Sequence, residues 1–501
     1  MLRPQVFAFC DGEVQVGLIA SEKQAIDATL LSLSREDKRI CPVADRYWNA
    51  RGGSHTDGGA FIFSLKQDAP GRWRMTCTDK FQTSVPMPAN TEACDFSAKI
   101  APNVNIEHDI RQYFEKGKAS AIFEYVRDNI HGWSFDDIGA ACDVIVTMAK
   151  EPDNTGLAIE ALTLLNDRRY STGQKKRNHI ICILREALNQ LFNNVPRFDA
   201  ARNSESQYRL IDYETRELLR SSQPGETTLV INTKGFPAEG KDCDASLLMN
   251  GYLSGWRHFI SFNCSGQRFI GCGLGPETEG VTIDVYDSSG DYLGSGLDGL
   301  TITVHGNAQD QVAQIIKSGK LVIHGDTGQT FMYGAKGGSV FVMGNAAGRP
   351  LINSVGRPRA VINGTCLDFL AESFMAGDVF NDGGFVILNG ITFDDEGRVI
   401  PLKEPYPGSN LFSLASGGAI YIRDPKKNVV QQQLNGGKLT SLTSEDWELV
   451  LPYFLENERL FGIEVSQLLT VDGKQFPPAE VYRKVIPAVV AALKNKGDSG
   501  D

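Results

Sequence analysis

His305 and His324 stand 19 residues apart, and the segments that carry them, TITVHG and LVIHG, are two copies of one phrase. Imidazoles at equivalent places in adjacent copies lie one rung apart, near enough to share a metal ion if a third ligand joins them. The next copies put Met343 and then Asn363 at that place. A ladder of surface imidazoles meets the same spacing without an ion, and that is the reading taken, with no metal assigned. Cys10, in Phe-Cys-Asp-Gly, would be an amino-terminal nucleophile with its own α-amine as base if the nine residues before it were removed. Inside an alternating apolar run, however, a cysteine is by default a small buried hydrophobe. His55 and His131 are isolated and support no triad. The ten cysteines are scattered without a Cys-x-x-Cys pair, which argues against a zinc ribbon or ferredoxin-type cluster and for reduced cytosolic thiols. Asp298, Asp310, Asp326, Asp368 and Asp378 fall at turns, where aspartate is favoured for backbone reasons, and form no column of paired acids. The strings GCGLG and GSGLDG do not open a helix after a strand, so a dinucleotide or P-loop reading fails on context. No residue is therefore assigned a catalytic or cofactor-binding role.

The histidine phrase belongs to a longer series. Apolar runs close at Asp287, Gly306, Gly325, Gly344, Gly364 and Gly390, in steps of 19, 19, 19, 20 and 26, and a further copy starts at Gly417. The long step has a visible cause in the inserted GDVFNDGG. Strand side chains alternate and stack about 4.8 Å apart from rung to rung. One inward column is then Ile283, Ile302, Leu321, Val340, Ala360, Val386 and Ile420; the next is Val285, Val304, Ile323, Val342, Ile362, Leu388 and Ile422. A second apolar run recurs at Tyr292–Leu293, Val312–Ala313, Phe331–Met332, Leu351–Ile352 and Phe369–Leu370, which predicts at least two strands per repeat. Glycines at 299, 319, 338 and 384 precede the first strand, where a corner needs positive φ or close approach. Gly306, Gly325, Gly338, Gly344, Gly364 and Gly390 are the structural turn glycines, and Asn307, Asp326 and Asn345 are placed in left-handed turns after the strand. The pattern predicts a right-handed parallel β-helix. Its outward row of Thr303, Val322, Phe341, Val361 and Ile387 is too apolar to face water. Val322, Phe341, Val361 and Ile387 are the candidate partner surface, with a neighbouring part of the same chain as the other occupant.

At 501 residues the chain is too long for one core. Of its 51 glycines, 26 lie between Gly251 and Gly390, which separates a turn-rich centre from an ordinary first half. We expect an α+β N-terminal domain over 1–225, the solenoid over 226–425 and a helical extension over 426–501. Strands are expected in VFAFCDGEVQVGLIAS, GAFIFSL and WRMTCTD, and helices at Ile106–Lys116, Ala119–Asn129, Asp136–Lys150, Gly156–Asn166, Gln174–Asn193 and about Ser206–Arg220. The strand TTLVINT precedes the repeats; an amphipathic stretch opens at Ser441-x-x-Ser444 and runs to Leu469, before a frayed KNKGDSGD tail. Arg168, Arg169, Lys175, Lys176 and Arg177 are read as a solvated helix start. A net charge of −11 argues against nucleic acid or an anionic membrane as partner, and no segment approaches a membrane-spanning length of apolar residues. A cytoplasmic, soluble, unexported protein is expected.

Three stretches, GQRFIGCGL (Gly266–Leu274), His305–Gly338 and CLDFLAESFMAGDVFNDGGFVILNG (Cys366–Gly390), closely resemble the GXGXG domain. That domain is the C-terminal β-helix of the glutamate synthase large subunit and also forms the C subunit of formylmethanofuran dehydrogenase. The resemblance covers roughly Thr227–Asp424, and a weaker likeness to the glutamate synthase tail extends through FPPAEVYRKVIP. It implies scaffolding: a non-catalytic, cofactor-free subunit of a glutamate-synthase-like oxidoreductase complex, organising flavoprotein, iron-sulfur or amidotransferase-like partner subunits. No stretch resembles the flavin barrel, the iron-sulfur cysteines or the glutaminase of glutamate synthase. The alternative is an enzyme whose N-terminal part is a divergent amidotransferase or amidohydrolase.

Overall fold

The computed structural model describes residues 104–199 and 206–488, and before them the five strands β1 (Val6–Cys10), β2 (Glu13–Gly17), β3 (Phe61–Ala69), β4 (Arg72–Asp79) and β5 (Ser84–Val85). These five pair antiparallel in chain order. Cys10 closes β1, whereas His55 and the KNKGDSGD tail lie outside the described residues.

Five helices follow: α1 (Val104–Glu115), α2 (Ala119–Asn129), α3 (Phe135–Met148), α4 (Pro152–Asp167) and α5 (Arg177–Asn193). Local chemistry sets their starts. Ser134 and Asp137 form a reciprocal capping box that satisfies two first-turn N–H groups of α3, and Pro152 opens α4 where a missing N–H costs nothing. Along α5, Ile180, Leu184, Leu188 and Leu191 recur at helical spacing and are fully buried.

The helix expected near Ser206–Arg220 is not formed. Tyr208–Ile211 is instead strand β6, because its burial puts Leu210 and Ile211 in a sheet, and Asp212 and Thr215 bond each other in a turn that ends it. Next come β7 (Thr228–Asn232), α6 (Asp244–Leu253) and β8 (His258–Ser265). The repeats supply β9 (Thr282–Ser288), β10 (Asp298–Val304), β11 (Ser318–Ile323), β12 (Ser339–Val342), β13 (Arg359–Ile362), β14 (Phe385–Leu388) and, after the hairpin β15 (Ile391–Phe393) and β16 (Val399–Pro401), β17 (Ala419–Arg423). The chain ends its described part with β18 (Gly437–Ser441), α7 (Ser444–Phe461), α8 (Val465–Leu468), β19 (Thr470–Val471), β20 (Lys474–Gln475), α9 (Pro478–Val481) and β21 (Tyr482–Pro487).

One sheet of twelve strands runs β18-β21-β17-β14-β13-β12-β11-β10-β9-β8-β7-β6. From β6 to β17 every pairing is parallel, while β21 runs antiparallel between β17 and β18. The register places Ile302 beside Ile283 and Leu321, and Ile323 beside Val304 and Val342, so each inward column is a row of directly paired residues.

The expected right-handed parallel β-helix is thereby corrected to an α/β architecture, a large mostly parallel sheet with helices. Each repeat contributes one strand and not two. Its second apolar run holds left-handed backbone at Tyr292, Ala313, Met332, Leu351 and Phe369, with φ from 55° to 62°. A residue at positive φ breaks the pleat, so the run cannot form a ladder of the β type. It still packs onto the inner face of the sheet: Val312, Phe331, Leu351, Leu370 and Phe374 share one core with the inward columns. The sheet also continues beyond the repeats at both edges. The turn acids and amides differ from expectation as well. Asn307, Asp326 and Asn345 are not left-handed; their side-chain oxygens accept the N–H of Asp326, Asn345 and Thr365 in the next repeat, at 2.9, 2.7 and 2.9 Å.

Helices cover the outer face in two layers. The α1–α5 group packs on Leu210, Val230, Ile260, Phe262 and Tyr286 of β6–β9, with Phe192 against Phe262 and Tyr286. Helix α7 lies over the later strands, with Tyr453 against Phe341 and Phe385. Removing each large apolar side chain from water in this way contributes about 1.5–3 kcal/mol.

Candidate functional site

The position after the second inward column carries Tyr286, His305, His324, Met343, Asn363, Asn389 and Arg423. These residues project from the outer face of the sheet and lie beneath the helices, where a polar group needs a partner. Each polar member of this buried column has one. The Tyr286 and Thr163 hydroxyls lie 2.7 Å apart, which ties β9 to α4. Asn363 and Asn457 of α7 exchange amide hydrogen bonds of 2.8 and 3.0 Å, Asn389 donates to Asn363, and the Tyr482 hydroxyl donates to Asn389. Arg423 donates to the carbonyls of Leu468 and Thr470. The column thus bonds the sheet to α4, α7 and the segment after it.

Its central part is ionic. Asp167, the last residue of α4, places Oδ2 2.8 Å from His305 Nδ1 and 3.3 Å from His324 Nε2. His305 Nε2 lies 3.2 Å from Asp284 Oδ1 of β9. Asn166 donates to Asp167 Oδ1 at 2.8 Å and to the His305 carbonyl at 3.1 Å. The aromatic rings of Tyr286, His305 and His324 stack in sequence, and Phe461 meets His324 edge-on. Asp167, His305 and His324 are all buried, with side chains 6 to 8 % exposed. The ladder of surface imidazoles is therefore corrected: α4 and α7 close over the column and bury it.

Burial alone would lower the His305 pKa, but the Asp167 charge and the hydrogen bonds to Asp167 and Asp284 outweigh it and raise it to about 10. Burial lowers His324 to about 4 against the pull of Asp167, helped by the charges of His305, Arg168 and Arg169. Asp167 is held below the ordinary carboxylate range: burial opposes this, and the histidines and Asn166 prevail. The basic cluster is not a solvated helix start throughout. Lys176 is exposed, but the Nε atoms of Arg169 and Arg177 are buried without a hydrogen-bond partner, and burial with the nearby Arg177 charge brings Arg169 down to about 10.

The two helical layers meet beside this cluster. Arg168 donates to the Arg459 carbonyl in the last turn of α7 at 2.7 Å, and α7 ends at Gly462 in a left-handed cap. A cleft of about 390 Å³ opens at the seam, lined by Phe123, Arg127, Arg168, Arg169, Phe393 and Phe461 among others.

The outward row expected as a partner surface is occupied from within. Val322, Phe341, Val361 and Ile387 are at most 1 % exposed and share a core with Val450, Phe454 and Phe461 of α7. Among the turn glycines, Gly338 and Gly390 have φ of 77° and 59°. The other four sit against their neighbours: a Cβ at Gly325, Gly344 or Gly364 would strike Asn307 Oδ1, Asp326 Oδ1 or Asn345 Oδ1, and one at Gly306 the Asp287 carbonyl. His131 is exposed and its carbonyl accepts from Lys175. The turn acids do backbone work, as Asp310 Oδ1 accepts from Gln329 N–H, Asp368 from Ser409 N–H and Asp378 from Phe380 N–H. Asp167 is the residue that sequence reasoning missed. It lies 138 residues before His305, and nothing in its own segment singles it out.

Fold and site together define an α/β protein whose long parallel sheet is made by sequence repeats and bonded to its helices through a polar column. Residues 259–459 match the family model described as GXGXG motif. No curated protein matches the chain. Among the described residues no helix is long and apolar enough to cross a membrane.

Proposed function

We propose that this chain is a non-catalytic structural subunit of a cytosolic, multi-subunit oxidoreductase resembling glutamate synthase, and that it organises partner subunits carrying flavin and iron-sulfur clusters. The GXGXG match over 259–459 is the observation that carries this reading. The layout of surfaces supports it. Helices α1–α5 and α7 occupy the outer face of the sheet, while the turn-rich second runs leave Ile315, Tyr333, Met375 and Leu414 exposed. Large apolar side chains left in water mark surfaces that other molecules cover. The partner surface is accordingly reassigned from the outward strand row to this second-run layer. Anaerobic pull-down through a tag on this chain, followed by native mass spectrometry with flavin and iron quantified, tests the proposal. Co-purifying flavoprotein and iron-sulfur subunits, lost in Leu414→Asp, are expected; a lone cofactor-free chain from the native source refutes it.

A further inference from the structure

We infer that Asp167, His305 and His324 form a buried binding site for one divalent transition-metal ion of the zinc type, which fastens α4 to strands β10 and β11. The inference is independent of any partner subunit. One ligand atom from each residue lies within 4.8 Å of the other two, and all three residues are buried. Ligand atoms 2.0–2.2 Å from a tetrahedral ion stand about 3.4 Å apart, close to the 2.8 and 3.3 Å separations of Asp167 Oδ2 from the two imidazole nitrogens. Two imidazoles and one carboxylate are the donor set that borderline cations such as zinc prefer.

The surroundings have the form of an outer shell. Metal-bound histidines usually hold their other ring nitrogen on a carboxylate or carbonyl, which fixes ring and tautomer. His305 does this with Asp284, and Asn166 holds the second oxygen of Asp167. His324 Nδ1, by contrast, is buried without a partner. His324 would ligate through Nε2, so its outer shell is incomplete where that of His305 is complete. Arg168 and Arg169 press positive charge toward the site, and Asp167 and Asp284 offset it. Because the ligands come from the end of α4 and from the residues following two adjacent strands, the ion would close the seam between the helical layer and the sheet.

The test uses the full chain purified without chelator. Elemental analysis is expected to find about one zinc-type ion per chain, and cobalt exchanged into the metal-stripped protein should give the absorption of a low-coordinate site. X-ray absorption of the wild-type protein should count two imidazoles with oxygen and no sulfur, which keeps the test independent of how any variant folds. Asp284→Asn, whose side chain is 37 % exposed, removes the outer-shell carboxylate and should weaken cobalt binding about 10- to 100-fold with the circular dichroism unchanged. Wild-type protein that carries no ion, takes up neither zinc nor cobalt at equimolar amounts and melts at the same temperature in chelator would overturn the site in favour of the hydrogen-bonded cluster. So would sulfur ligands, or an affinity that Asp284→Asn leaves unchanged.

Discussion

Asp244 stands in the first turn of α6 and is 1 % exposed. Burial pushes its carboxyl up to about 7, although the backbone N–H groups of residues 244 and 245 oppose the shift. In the unfolded chain an aspartate ionises near pH 4. The folded form therefore holds a proton that the unfolded form has lost, so this residue's contribution to stability falls as pH rises from about 4 to about 7. Asp244→Asn should remove that slope and gain on the wild type by up to about 3 kcal/mol between pH 5 and pH 8; urea melts with parallel pH profiles for the two proteins would contradict it. In the polar column, Asn457→Ala leaves Asn363 with fewer partners at a fully buried site. We expect a loss of about 1–3 kcal/mol in the same assay, and a change below about 0.5 kcal/mol would show that the amide pair is not what holds α7. Gly325→Ala should be costlier than its size suggests, by about 1–3 kcal/mol, because the new methyl would displace the Asn307 oxygen from the Asp326 N–H. A melting temperature equal to that of the wild type would exclude this.

At the scale of elements, the strand columns were legible residue by residue, since a two-residue alternation within a 19- or 20-residue repeat marks both the face and the register of each strand. What hid was whatever leaves no such mark. The run around Tyr208–Ile211 sits among Glu, Arg and Leu residues that favour a helix, and it becomes β6 only because the edge of the sheet needs a partner for β7. The second runs look like strands by hydrophobicity, yet left-handed backbone at residues such as Ala313 and Met332 is not signalled by the residue type. The histidine pair was visible as a repeat position, while its burial followed from helices far away in sequence. Coverage by α7 carries a direct test. Phe341→Asp buries a charge where Tyr453 now lies and should destabilise the isolated chain by several kcal/mol. Limited proteolysis should then cut within α7, and a variant as resistant as the wild type would mean that α7 does not hold that face.

Over the described part of the molecule, two helical layers from opposite sides of the repeat region pack on one sheet and are also bonded to it through a line of buried polar residues. Asp167 comes from the first layer and Asn457 from the second, and both reach the position that follows a strand. Such an arrangement suits a rigid support, because the sheet can hardly shift against its helices without breaking several buried bonds at once.

The placement of β21 also bears on how the protein is made. β17 ends at Arg423, and the strand that covers its open edge does not begin until Tyr482; among the described residues β18 in turn pairs with β21 alone. Until β21 is in place, the parallel ladder from β6 to β17 ends in a bare row of peptide groups on β17, and an uncovered strand edge is a template for pairing with other chains. A chain without β21 would present that edge, which β21 covers by pairing with β17 on one side and β18 on the other.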